Sequence, residues 1–309
     1  METVTAPHRI AFVVATKDRP EELQRLWSSL LAQTRVPDEV VVVDASARPS
    51  FLSGGEGVRP VLHYIRTAVA SASRQRNIGL DAVGPDVDLV GFLDDDAVLE
   101  ADAVGEMLRF WGMAGADVAG AAFNMTNHPP LDWPFLKRMP LVARLGLYSS
   151  RGGLVTSSGF QTMIGPVDTT VWTEWLPSGA SVWRREVFSR IRFDEWFAGY
   201  GYLEDLDFSY RVGKTAKLAV VAPARYLHLP ADGGRGSGYA FGVREVLNRT
   251  HFVNKHMGLS LARCRVALGL RLVMSLAFAV RERKASYAAR AFGNAVGLVR
   301  SALGNGVKS

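Results

Sequence analysis

The sequence predicts an α/β fold: a mostly parallel sheet flanked by helices, followed by a C-terminal helical extension. Short apolar runs rich in β-branched residues recur at 10–15, 39–43, 61–65, 89–93 and 118–122. Amphipathic stretches of helical period separate several of them, which is the pattern of βαβ units. One run, Leu-Val-Gly-Phe-Leu at 89–93, leads straight into three consecutive carboxylates, Asp94, Asp95 and Asp96. Adjacent carboxylates at a strand end repel one another. A divalent cation with a taste for hard oxygen ligands, Mg2+ or Mn2+, relieves that repulsion.

Taken in order, 10–15 reads as the first strand, and Thr16-Lys17-Asp18-Arg19-Pro20 interrupts it. Asp18 suits a helix N-cap and Pro20 the first helical turn. Leu23, Leu26, Trp27, Leu30 and Leu31 then recur at helical spacing. The second strand, 39–43, is followed by Asp44-Ala45-Ser46, and a glycine loop at 54–57 precedes a third strand at 61–65. A helix is expected over 71–82, with Arg74, Arg76 and Asn77 in its first half, and another over 101–114. In parallel sheets ligands bind beyond the carboxyl ends of the strands. Thr16, Arg19, Asp44 and Asp94–Asp96 all follow strand ends, so they are expected to converge on one rim.

The alternation stops at 123–177, where Pro129-Pro130, Trp133-Pro134 and Gly152-Gly153 fall. Trp172, Trp175 and Trp183 lie near its end, and a tryptophan there serves either the core or a groove where a sugar ring stacks. Next comes Gly199-Tyr200-Gly201-Tyr202-Leu203-Glu204-Asp205-Leu206-Asp207, an aromatic-glycine loop running into a helix with three acids in its first four residues. The helix dipole favours acids there, but three exceed what a cap requires. A carboxylate among carboxylates has a raised pKa and becomes a better proton acceptor. A short strand is expected at 217–221, then His228 and a flexible stretch at 233–238. That stretch lacks the third glycine of a dinucleotide fingerprint. It suits a lid with Arg235 reaching phosphates, or a plain linker.

At 309 residues, 48% hydrophobic and 21% charged, the chain can bury a sizeable core. Its one cysteine, Cys264, excludes an intrachain disulfide and a cysteine metal cluster, and a reducing, cytoplasmic setting is expected. Residues 1–10 carry no long apolar run, so no secretory signal is expected. The net charge of +6 is uneven: residues 263–309 carry +8, leaving about −2 for the rest. The body is therefore not a nucleic-acid binder by charge. The tail holds a mostly apolar run, 266–280, with Arg271 in its middle. It is short for a membrane span, and an interfacial helix or a hairpin lying in one leaflet fits better, the alternative being helices that pack on the catalytic domain or form a dimer interface.

These residues resemble the family 2 glycosyltransferases of the glycosyltransferase A fold, a Rossmann-like nucleotide-binding sheet. The matching pieces, in family order, are Phe12-Val13-Val14-Ala15-Thr16-Lys17-Asp18-Arg19-Pro20, Val41-Val42-Val43-Asp44-Ala45-Ser46, Arg76-Asn77-Ile78-Gly79, Phe92-Leu93-Asp94-Asp95-Asp96 and Glu204-Asp205-Leu206-Asp207. The resemblance implies an inverting, metal-dependent transfer of sugar from a nucleotide-diphosphate donor to a saccharide or lipid-linked acceptor, in cell-surface polysaccharide or glycolipid assembly. It implies that Thr16, Arg19, Asp44, Arg76, Asp94 and Asp95 bind the donor, and that Asp94 and Asp96 hold Mn2+ or Mg2+ with His228. Asp205 matches the catalytic base, with Glu204 beside it, and Trp175 and Tyr202 are the acceptor candidates. Two departures stand out. The first strand ends Ala15-Thr16-Lys17-Asp18, where many members have proline, threonine, tyrosine and asparagine, and 123–177 and 230–309 match no family motif.

The expected organisation is a catalytic domain over 1–258, split at 122 into donor and acceptor halves, and a helical tail over 259–309. A sugar-phosphate nucleotidyltransferase is the rival enzyme, but its glycine-rich N-terminal phosphate loop is not found. A non-catalytic scaffold at a membrane surface is the other rival, and the intact acidic residues speak against it.

Overall fold

The computed structural model describes residues 8–54, 60–129, 138–199, 201–230 and 237–304. The glycine loop at 55–57, Pro130, Trp133, Pro134, Tyr200, Arg235 with its glycines at 233, 234 and 236, and Lys308 lie outside the described residues. The chain divides into two compact units, Met1–Pro130 with Ile164–Ala231, and Leu131–Met163 with Asp232–Ser309. The expected boundary at 258 falls inside the second.

The first unit runs β1 (Ile10–Thr16), α1 (Pro20–Leu31), β2 (Glu39–Asp44), β3 (Val61–Arg66), α2 (Ala72–Ala82), β4 (Leu89–Asp94), β5 (Ala97–Leu99), α3 (Ala103–Met113) and β6 (Val118–Met125). After α4 (Pro140–Arg144), which belongs to the second unit, it resumes with β7 (Val171–Thr173), β8 (Ala180–Arg184), α5 (Glu204–Gly213) and β9 (Lys217–His228). The sheet order is β3-β2-β1-β4-β8-β6-β9-β5, with β7 paired to β9. β3, β2, β1 and β4 are mutually parallel, as the alternation predicts. β8 lies antiparallel between β4 and β6.

β1 shows how the sheet is held. Successive side chains of a strand point to opposite faces. Ile10, Phe12 and Val14 join Leu23, Leu26 and Trp27 of α1 and Met107 and Trp111 of α3 on one face. Ala11 and Val13 join Leu80 of α2 on the other. Helices cover both faces, so the strands read as continuous apolar runs rather than alternating ones. α2 lies so close to β1 that a Cβ on Gly79 would overlap Val13. On the same face Phe92 of β4 meets Phe193 edge-on at 4.9 Å, and Phe208 of α5 stacks on Phe193 at 4.5 Å. That aromatic cluster docks α5 on the sheet and fixes where its acidic first turn emerges.

Two local expectations differ from the structure. Asp18 does not cap α1: Arg19 occupies the cap position, and no side chain bonds there. Asp18 takes a left-handed backbone, φ 54°, which a short polar side chain tolerates. Its carboxylate accepts from the amide of Ala47 at 3.2 Å, and its own amide donates to Ser46 Oγ at 2.6 Å. The residue thus ties the ends of β1 and β2 instead of starting the helix. β9 also runs to His228 rather than stopping at 221. Pro223 breaks its apolar run and cannot donate to a ladder. The pairing with β6 jumps there from Phe123–Val221 to Asn124–Arg225, and the Asn124 amide donates to the carbonyls of Ala222 and Val167, both at 2.9 Å.

The second unit contains α4 and three longer helices, α6 (Gly238–Lys255), α7 (Leu261–Glu282) and α8 (Ala285–Ala302). A glycine on each helix lets α6 and α8 touch backbone to backbone: a Cβ on Gly242 would overlap the carbonyl of Arg290, and one on Gly293 that of Tyr239. Glu245, buried on α6, accepts from Arg290 at 2.9 and 3.1 Å and from the Asn294 amide at 3.1 Å, and Arg271 stands 3.3 Å away. Burial works to raise the Glu245 carboxyl, but the two arginines and Asn294 outweigh it and lower it. Arg271, the charge interrupting the apolar run, is therefore a partner of α6.

Candidate active site

The carboxyl ends of β1, β2 and β4 do converge. Gln75 of α2 donates to the carbonyls of Thr16 at 2.9 Å and Val43 at 2.8 Å, pinning the first two strand ends together. Asp44 is fully buried. Its carboxylate accepts from the amides of Ser46 at 2.7 Å and Ser50 at 3.3 Å, and from the Tyr64 hydroxyl. Burial works to raise its pKa, but these hydrogen bonds together hold it below the usual carboxylate range. Asp44 thus fixes the 44–50 turn, and Tyr64 on β3 is a member of this rim that the sequence did not single out.

The three acids after β4 are not equivalent. Asp95 turns inward, accepting from Thr16 Oγ1 at 2.7 Å and Arg19 Nη1 at 3.0 Å. Burial pushes its carboxyl up to about 6, against the pull of Thr16 and Arg19. Asp94 keeps 43% of its side chain exposed, and Gly179 makes room for it, since a Cβ there would stand 2.8 Å from Asp94 Oδ2. Asp96 is mostly buried, with Arg19 at 3.4 Å on one oxygen and His228 Nε2 at 3.2 Å on the other. The antiparallel pairing of Ala97 with His228 brings that histidine to the site from 132 positions downstream.

Arg76 connects this strand end to α5. Its guanidinium is buried, lies over the Phe193 ring at 5.4 Å, and donates to Asp94 Oδ1 at 3.0 Å and to Glu204 Oε1 at 2.8 Å. α5 begins after Leu203, which takes a left-handed backbone at φ 78° with no side-chain cap. Glu204 is buried, and Asp205 is partly exposed with its Oδ1 accepting from the Leu206 amide at 2.7 Å. Asp207, fully buried, accepts from Arg211 Nε at 3.0 Å and belongs to the helix's own packing. Burial first, and then the charge of Asp205, pushes Glu204 up in spite of Arg76. Burial pushes Asp205 up as well, opposed by the Leu206 amide and Arg76 and assisted by Asp94. Three carboxylates thus face one guanidinium, and such a group retains a proton well above the ordinary acid range.

The acceptor candidates part company. Trp175 is 2% exposed and offers no open face to a sugar ring, and Trp183 is fully buried. Trp172, on β7, is 59% exposed with Lys217 Nζ 5.7 Å from its ring. Tyr202 is partly exposed, three residues before Asp205.

Among the described residues no group of three His, Cys, Asp or Glu side chains stands ready to hold a metal ion. The available donors are Asp96 and His228, side by side, and Asp94 on the exposed rim. The two carboxylates are the hard oxygen donors that suit Mn2+ or Mg2+, with the remaining positions left to ligand oxygens and water.

The sequence matches the family described as glycosyl transferase family 2 over residues 11–188. Residues 1–349 of S. aureus TarS, solved in complex with UDP-GlcNAc, are similar at 16% identity, covering 88% of this chain and 73% of that one, with a TM-score of 0.54. The same protein in complex with UDP gives 16% identity, 88% and 72% coverage, and a TM-score of 0.51. At that identity the likeness speaks for the fold. No curated protein matches the sequence. The family match spans more than half of the chain and contains Thr16, Arg19, Asp44, Arg76 and the acids after β4, while Asp205 and His228 lie beyond it. This chain therefore belongs to glycosyl transferase family 2 and is a glycosyltransferase.

Proposed function

We propose that this chain is an inverting transferase that moves a sugar from a nucleoside-diphosphate donor to an acceptor hydroxyl, with Mg2+ or Mn2+, in polysaccharide or glycolipid assembly. The observation that carries the reading is the meeting of Asp94 and Glu204 on Arg76, which sets the end of β4 against the acidic first turn of α5. The acceptor O–H gives its proton to Asp205. Its oxygen attacks the anomeric carbon from the face opposite the diphosphate, and the bond to that diphosphate breaks with the electron pair on the leaving oxygen. Glu204 retains the proton the cluster keeps, leaving Asp205 ionised. Asp94, Asp96 and His228 would hold the metal. When bound, it stabilises the negative charge that develops on the leaving group. Thr16, Arg19 and Arg76 line the nucleotide's side, and Asp44 acts through the turn and the Tyr64 hydroxyl that it fixes.

Incubating the chain with a panel of nucleotide sugars and Mn2+, UDP-GlcNAc first because the similar TarS structure contains it, tests the reaction. Slow release of nucleoside diphosphate from one class of donor, abolished by chelation, is the expected result. Release of pyrophosphate from a nucleoside triphosphate and a sugar phosphate would make it a nucleotidyltransferase instead. Asp96→Asn is expected to weaken Mn2+ and UDP binding together in calorimetric titrations. Unchanged Mn2+ binding takes Asp96 out of the metal's shell.

A further inference from the structure

The second unit carries an outward apolar stripe for which the reaction has no use. On α7, Val266, Val273, Leu276 and Val280 are 54%, 54%, 47% and 80% exposed. Their spacings of seven, three and four place them on one face of the helix. The opposite face is the packed one: Cys264, Ala267, Leu268 and Met274 are buried, and Arg271 reaches Glu245. The stripe is thus not a core that failed to form, since α7 already has its inner face. Exposed apolar side chains continue in the same unit with Phe292 of α8 and Leu303 just past its end, at 66% and 69%. Contiguous apolar surface of this kind marks an interaction site.

Charge selects the occupant. Arg263 and Arg281 lie along one edge of the stripe by helical position, Arg265 along the other, and Arg283 and Lys284 follow the helix end, all exposed. Glu282 is the only acid among residues 261–304. A second copy of the chain seated on this face would bring like charges together. An anionic surface is complementary to it, and long basic side chains beside an apolar stripe reach headgroups while their stems cover hydrocarbon. No helix among the described residues is long and apolar enough to cross a membrane, which leaves a helix lying in the interface plane.

We propose that α7 docks this chain on an anionic phospholipid bilayer, with Val266, Val273, Leu276 and Val280 facing the acyl boundary and the flanking arginines the headgroups. This surface stands apart from the sugar-transfer reading and does not depend on it. The test is co-sedimentation of the full chain with phosphatidylcholine vesicles, with and without phosphatidylglycerol. The chain is expected to sediment with the anionic vesicles and to be released by high salt. Val273→Glu with Leu276→Glu should weaken partitioning by at least about tenfold. Arg265→Glu with Arg281→Glu should weaken it by about fivefold for each basic charge removed. All four positions are partly or fully exposed, so helical content by circular dichroism and donor turnover without vesicles should hold. Equal sedimentation of wild type and the Val273→Glu, Leu276→Glu variant, or no sedimentation of wild type, overturns the proposal. Light scattering supplies the other arm: a wild-type dimer that this variant splits into monomers would assign the stripe to a second copy of the chain.

Discussion

Asp205→Asn is expected to lower sugar transfer by about 10²–10⁴-fold, the usual contribution of a positioned general base, while donor affinity is nearly kept. The substitution preserves shape and the bond from the Leu206 amide, since the side-chain oxygen can still accept it. It removes only the capacity to take the acceptor's proton. Glu204→Gln separates the two acids. Glu204 is buried against Arg76, so its loss disturbs the placement of Arg76 and the charge near Asp94 rather than the proton transfer. Its effect is expected to be smaller, and to include weaker donor binding. The pH profile gives a second readout. A base acts only when ionised, and burial raises the carboxyl of Asp205. Activity in the wild type should therefore fall, as pH is lowered, well above the pKa of about 3.9 of an unperturbed aspartate. Near wild-type transfer by Asp205→Asn, with loss in Glu204→Gln, would assign the base to Glu204.

The sequence made the rim legible because the signals there are local. A β-branched run that stops at polar residues marks a strand end, and parallel topology puts all such ends on one side. The acidic first turn of α5 was legible for the same reason: glycines, then acids, then a helical period. What was not legible depends on partners far away in the chain. Arg76 meets Glu204 across 128 residues, and nothing near either residue announces the other. The role of Asp95 was hidden because three identical side chains in a row carry no sign of which turns inward. Thr16 and Arg19 decide that. β8 is five residues long and pairs antiparallel on both sides, so an expectation built on βαβ alternation had no place for it. Trp172 and Trp175 are three positions apart and equally aromatic, yet only the fold exposes one and buries the other. In α7 the spacing of apolar residues was visible, but not which of them faces Glu245 and which faces outward.

Arg76→Met is expected to destabilise the chain by about 3–5 kcal/mol at neutral pH, the usual consequence of removing one partner of a buried ion pair. Methionine fills much of the same volume over Phe193, so the loss is chiefly electrostatic. Asp205 is left beside Glu204 with no cation to offset its charge, and Asp94 loses its partner as well. The sign of the pH dependence follows from the protons. Without Arg76 the folded-state pKa of Asp205, already raised by burial, rises further, while its unfolded value stays near 3.9. Between those two values the folded variant binds more protons than the unfolded chain, so its stability falls as pH rises. The gap between wild type and variant should be smallest near pH 4–5, where Asp205 is protonated in both folded forms, and widen toward pH 8, where the wild type has released that proton, by up to about 1.4 kcal/mol per pH unit. Urea unfolding of both proteins across that range measures it. The double variant Arg76→Met, Asp205→Asn removes the orphaned acid along with its partner and should recover part of the stability at pH 7 but little near pH 4. Transfer should not return with it, because Asp205 is the base and the placement of Asp94 rests on the guanidinium. A stability gap that is flat in pH, or a double variant no more stable than Arg76→Met alone, would mean that Arg76 holds the fold by packing on Phe193 and not by balancing the acids of α5.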